Sequence, residues 1–153
     1  MGSVSVRQVL QGSVHGAETC WYEVARWPEW VDELARVIEV EGDWPRVGGS
    51  VTWESGPAGR GRVHEQVIDH EPLGGQTLEV EDDSITGTQQ VAFTPAGQDV
   101  EVALSLTYRI KRRSLFTPLV DTLFVRRVMA ASLARTLTRF AGVLAESRSA
   151  PVE

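Results

Sequence analysis

The stretch LVDTLFVRRVMAASLARTLTRF, Leu119 to Phe140, most constrains what this chain can become. Thr117 can cap a helix, Pro118 suits a first helical position, and apolar residues recur every three to four positions, which predicts one helix from 118 to about Glu146. At ~1.5 Å per residue it spans ~44 Å, about the width of a small domain. Stepping around that helix places Leu119, Leu123, Ala130, Leu133, Leu137, Ala141 and Leu144 on one broad face, with Phe140 at its margin and Arg126 among them. So apolar a face needs a surface wrapped around it.

The rest of the chain supplies such a surface. Val4, Val6, Val9, Leu10 and Val14 read as an opening strand that ends at His15 and Gly16. Spacings of three and four then take over through Ala17, Cys20, Trp21 and Val24, and again through Trp27, Trp30, Val31 and Leu34; Pro28 divides them into two short helices. From Val37 to Arg113, turn-forming stretches such as EPLGG and TPAGQD separate six strands, at roughly 37–43, 49–55, 60–71, 76–82, 85–94 and 99–112. Connections this short favour antiparallel neighbours. In the last strand, Val100, Val102, Leu104, Leu106, Tyr108 and Ile110 alternate with Glu101, Ala103, Ser105, Thr107, Arg109 and Lys111, so one face is buried and the other wet.

Composition narrows the class. With 153 residues and 42% hydrophobic content, the chain suits one domain with a substantial core, here 3–146 followed by a tail at 147–153. The amino terminus lacks the charged-then-apolar layout of a signal peptide, and no run approaches ~18 uninterrupted apolar residues, so a cytoplasmic location is expected. A single cysteine, Cys20, forms no internal disulfide. Net charge is −6, but residues 1–108 carry 6 basic against 18 acidic side chains, whereas residues 109–139 carry 8 basic against Asp121 alone. Two explanations stand: an acidic sheet attracting a basic helix, or a basic strip for an anionic partner or membrane surface. Overall acidity and the lack of interleaved aromatic and basic residues argue against nucleic acid.

The order strand, two short helices, six strands and a long helix, with CWYEVARWPEWVDELARVIEVEG, PAGRGRVHEQVIDHEPLGGQTLEV and LTYRI, resembles the START-like, or SRPBCC, superfamily. The resemblance implies an α+β helix-grip fold, in which a seven-stranded curved antiparallel sheet wraps around the C-terminal helix. It further implies a cavity between the two for a small hydrophobic molecule: lipid, polyketide-like or quinone-like. The superfamily has no universal catalytic residue to carry over, and no cofactor is implied.

Candidate site residues are therefore those expected on the inward faces. Glu65 shares strand parity with Val63 and Val67, and a buried carboxyl there would have a raised pKa and could move protons. Gln89 shares parity with Val91 and Phe93, Trp53 with Val51, and Tyr108 with Leu106 and Ile110. Leu123 and Arg126 complete the set from the helix, Arg126 either holding an anionic head group or Glu65, or reaching past the sheet to water. Arg127, Arg135 and Arg139 read as solvated or sheet-pairing charges. His15, His64 and His70 form no metal-ligand pattern, His64 and His70 being assigned to the outer face. GPAGRGR reads as a hairpin tip rather than a phosphate cradle. Three functions remain open: a ligand carrier, a cyclase- or aromatase-type enzyme in the same cavity, and a non-catalytic interaction protein using the basic helix.

Overall fold

The computed structural model describes residues 1–57, 59–111 and 118–149, with side chains described except at 118–122 and 148–149. Seven strands form one sheet: β1 (Gly2–Leu10), β2 (Leu34–Glu41), β3 (Ser50–Ser55), β4 (Arg62–Glu71), β5 (Gly75–Glu81), β6 (Ile85–Ala96) and β7 (Asp99–Ile110). Their order is β1-β7-β6-β5-β4-β3-β2, antiparallel throughout. Between β1 and β2 lie α1 (Val14–Tyr22), a single 3₁₀ turn (Val24–Arg26) and α2 (Trp27–Trp30); the chain closes with α3 (Pro118–Ser149). This is the helix-grip arrangement.

Local chemistry explains where the elements stop. The Ser13 hydroxyl accepts from the Gly16 backbone N–H at 3.0 Å and caps α1, so Val14 opens a helix instead of ending the first strand as its apolarity suggested. Pro28 sits in the first turn of α2, as expected, but that helix stops at Trp30. Leu34, expected in the second helix, begins β2 after Glu33 takes a left-handed φ of 67°. At the far end, α3 runs past Glu146, and the Ser147 hydroxyl accepts from Arg26 at 2.7 Å.

The inner sheet face carries the expected alternation. Val100, Val102, Leu104, Leu106 and Tyr108 of β7 are buried, as are Val63, Glu65 and Val67 of β4. A bulge between Val67 and Asp69 then changes the parity of β4. His70 consequently pairs with the buried Gln76 and turns its ring toward Tyr22, 5.5 Å between centroids, rather than to the outer face assigned by simple alternation. The bulge is invisible to a period-two count.

The helix grips with its second half. Leu133, Thr136, Leu137, Phe140, Val143 and Leu144 are buried, with Phe140 fully enclosed between Trp21 and Trp30 at 4.9 Å from each ring. The buried stripe is therefore centred near Phe140, not on the line through Leu123. Leu123 and Phe124 are 63% and 64% exposed, since in the first half of α3 it is Val125, Met129 and Ala130 that pack, partly buried, against the core. By length and composition, Leu123–Ser147 is apolar enough to cross a membrane, yet the most apolar face of its second half is packed inside the domain.

Candidate functional site

An inner cavity of about 40 Å³ lies between the concave sheet and the helices. Trp21, Trp27 and Trp30 wall it from the corner helices, Trp53, Glu65, Leu78, Gln89 and Leu104 from the sheet, and Ser132, Leu133 and Thr136 from α3. Space of this size holds about two or three water molecules. It is much smaller than the ~300–1,000 Å³ of a site for a drug-sized ligand.

Glu65 is the charged chemistry of the sheet wall. Strand parity aims it inward, only 5% of the residue is exposed, and its Oε2 accepts from Trp53 Nε1 at 2.7 Å. Burial pushes the carboxyl above its ordinary value; the Trp53 bond, the Arg60 charge and His64 oppose that rise without cancelling it. A group so placed can hold a proton at a pH where a surface glutamate has lost it. Trp30 presents a buried indole N–H with no partner among the described residues. Gln89, half-buried, adds an amide from β6. Together they offer donors and acceptors to a small polar group surrounded by aromatic walls.

Arg60 separates this cavity from a second space. It comes from the β3–β4 connection, the stretch read as a mere hairpin tip, and its Nε donates to Asp82 Oδ2 at 2.6 Å. Asp82 has a fully buried side chain whose Oδ1 accepts from the backbone N–H groups of Ser84 and Ile85 at 2.7 and 2.9 Å. So held, the Arg60 guanidinium lies 5.5 Å from the Trp53 ring centroid, a cation on an aromatic face. On its other side opens a recess of about 230 Å³, lined by Ile85 and Ile110 of the sheet and by Phe124, Val125, Val128 and Met129 of α3. Arg60 and Asp82 border it, and Arg60 lines both spaces.

Asp32 fixes the helix that roofs the cavity. In the α2–β2 turn, its carboxylate accepts from Ser132 Oγ at 2.7 Å, from Arg135 at 3.0 and 2.9 Å, and from Arg139 at 3.2 Å. Its own N–H donates to Thr136 Oγ1 at 2.9 Å. Burial alone would raise the Asp32 carboxyl, but the bonds from Arg135 and Ser132 and the two guanidinium charges outweigh it and hold the group below its ordinary value. Arg135 and Arg139 are thus half exposed to water, as one of the two expectations had it, and pair with a corner turn rather than with the sheet. The one available signal was Ser132 and Thr136, four apart beside the apolar stripe.

Of the seven side chains selected from sequence, Trp53, Glu65 and Gln89 meet at the cavity. Phe93 and Tyr108 are buried but border neither space: Phe93 packs edgewise on Trp21 and Tyr22, and Tyr108 lies over Gly2 of β1. Leu123 and Arg126 are exposed, outside the cavity, because the buried stripe of α3 lies farther round and farther along the helix. Arg126 takes the second of its two expected positions, at the domain surface. Among the described residues, no three His, Cys, Asp or Glu side chains cluster as metal ligands.

Comparison with known structures agrees with this architecture. A START superfamily protein from Mycobacterium smegmatis superposes with a TM-score of 0.75 at 13% identity, covering 94% of this chain and 97% of that one. The di-domain aromatase/cyclase StfQ of the steffimycin biosynthetic pathway gives 0.74 at 22% identity, covering 96% of this chain and 51% of the larger protein. Norcoclaurine synthase from Thalictrum flavum, in complex with dopamine and hydroxybenzaldehyde, gives 0.70 at 13% identity over 97% and 89% of the two chains. At these identities the likeness is one of fold. No curated protein matches in sequence. The family described as polyketide cyclase/dehydrase and lipid transport, however, matches residues 1–145, nearly the whole of the helix-grip domain, and to that family, within the START-like superfamily, this chain belongs.

Proposed function

We propose that the protein binds a small, mostly apolar molecule whose polar end reaches the Glu65–Trp53 pair and whose body lies in the recess under the first half of α3. The observation that carries this reading is the unpartnered, buried Trp30 N–H beside a cavity that also holds an inward carboxyl. Buried polar groups ordinarily have partners, and a ligand group can supply the missing one. Apolar walls would provide most of the affinity, at ~25 cal/mol per Å² buried. A lipid or long polyketide needs more space than the cavity offers, so such a ligand requires Arg60 to leave Asp82 and join cavity to recess.

Four of the five tryptophans line the cavity, which makes their emission a direct reporter. Native mass spectrometry of the purified protein should reveal a co-purified small molecule, and its removal should shift tryptophan emission. No bound molecule, together with unchanged emission on titration with 2-acetylnaphthalene and with decanoic acid, would refute the reading.

A second reading, a cyclase-type enzyme in the same space, is favoured by the raised Glu65 pKa alone. There Glu65 would act as general acid or base on a folded substrate. Glu65→Gln should then abolish turnover while leaving binding intact; binding and turnover lost together would exclude a separate chemical role.

A further inference from the structure

The first half of α3 presents an apolar ridge to solvent, and two of its residues, Phe124 and Val128, also line the recess. Leu123 and Phe124 are almost two-thirds exposed, and Val128 is 42% exposed. Isolated exposed apolar residues are ordinary, but three within two turns of one helix are a patch that calls for a covering. On α3 itself the charges that follow Leu123 have one sign, while Glu33 and Asp82 line the recess beside Phe124 and Val128, Asp82 paired with Arg60. Between Asp121 and Glu146 the sequence contains no acidic residue. Unlike Arg135 and Arg139, which are bound to Asp32, Arg126 and Arg127 form no ion pair among the described residues. Both line an open groove against β1 together with the hydroxyl-bearing Ser3 and Ser5.

We infer that this part of α3 docks on an anionic bilayer, Leu123, Phe124 and Val128 entering the headgroup boundary and Arg126 and Arg127 meeting lipid phosphates in the groove beside β1. An amphipathic helix lying in the membrane plane needs this combination: bulky apolar side chains with cations beside them. A second copy of the chain fits poorly, since apposing two such faces would bring four unpaired arginines together. Phe124 and Val128 also frame the recess, so docking would set its mouth against the lipid. That last step rests on the ligand reading above; the docking itself does not.

The test is co-sedimentation of the full chain with vesicles of phosphatidylcholine alone or mixed with phosphatidylglycerol, at low and high salt. Binding is expected to the mixed vesicles, weakening as salt rises, and to fall by roughly tenfold or more in Arg126→Glu/Arg127→Glu and in Phe124→Asp. Glu65→Gln should bind vesicles like the wild type, so loss of the cavity function and loss of docking are read separately. Because Phe124 is exposed, Phe124→Asp should keep its circular dichroism and Tm. Equal binding to neutral vesicles, or binding unaltered by both sets of changes, would overturn the inference. So would a wild-type dimer in light scattering that Phe124→Asp dissociates, which would assign the patch to a second copy.

Discussion

Glu65 and Trp53 show how one pair of residues reconciles a carboxyl with an apolar wall. The indole N–H gives the carboxylate one strong donor, but burial still disfavours the charge and the pKa is raised. In the folded state Glu65 therefore binds its proton more tightly than in the unfolded chain. The stabilising contribution is full below the ordinary value of 4.5 and is lost as pH rises through the folded value. Glu65→Gln, which keeps an oxygen for Trp53 and carries no charge, should be near neutral in acid. At pH 8 it should gain on the order of 1 kcal/mol, or about 2–4 °C in Tm for a chain of this size, as calorimetry at the two pH values would show. Trp53→Phe should act oppositely, costing about 1–3 kcal/mol by leaving the buried carboxyl without its donor.

At the scale of elements, the sheet holds its register around Tyr108 through two glycines. Gly2 of β1 and Gly87 of β6 both pair with Tyr108, one on either side. A Cβ on Gly2 would run into the tyrosine ring, and one on Gly87 into the Thr107 carbonyl oxygen and the Tyr108 backbone. Tyr108 is thus a packing residue spread over β1, which explains its absence from the cavity wall. Gly87→Ala should cost about 1–3 kcal/mol in urea unfolding, because backbone rather than a flexible side-chain end must move. A fully wild-type Cm for that variant would show that β6 and β7 can separate there at no cost. The expected strands all formed because alternation and turn chemistry are local signals. The β4 bulge is not one, and it alone reversed the face of His70.

For the whole molecule, the decisive connection is Asp32 to α3. It joins the corner after α2 to the roof of the cavity across more than a hundred residues of chain. Its folded pKa lies below the ordinary 3.8, so its contribution is present above that value and disappears as pH falls through the folded one. Asp32→Ala should cost about 2–3 kcal/mol at pH 7, loosening α3, and should flatten the acid side of the stability profile. Because Arg135 and Arg139 are half exposed, water can receive them once the carboxylate is gone, which keeps the loss below that of a fully buried pair. Urea titrations at pH 3 and pH 7 distinguish this from a surface pair, whose removal would change neither limb measurably. Element order, the antiparallel sheet, the gripping helix and the inward positions of Trp53, Glu65 and Gln89 all follow from the sequence alone, since period and turn residues act over a few positions. Only the tertiary structure decided that Arg60 closes onto Asp82, that Asp32 gathers two arginines, and that Leu123 and Arg126 face outward: each depends on the angle and offset at which distant segments pack, and a one-dimensional pattern carries no record of either.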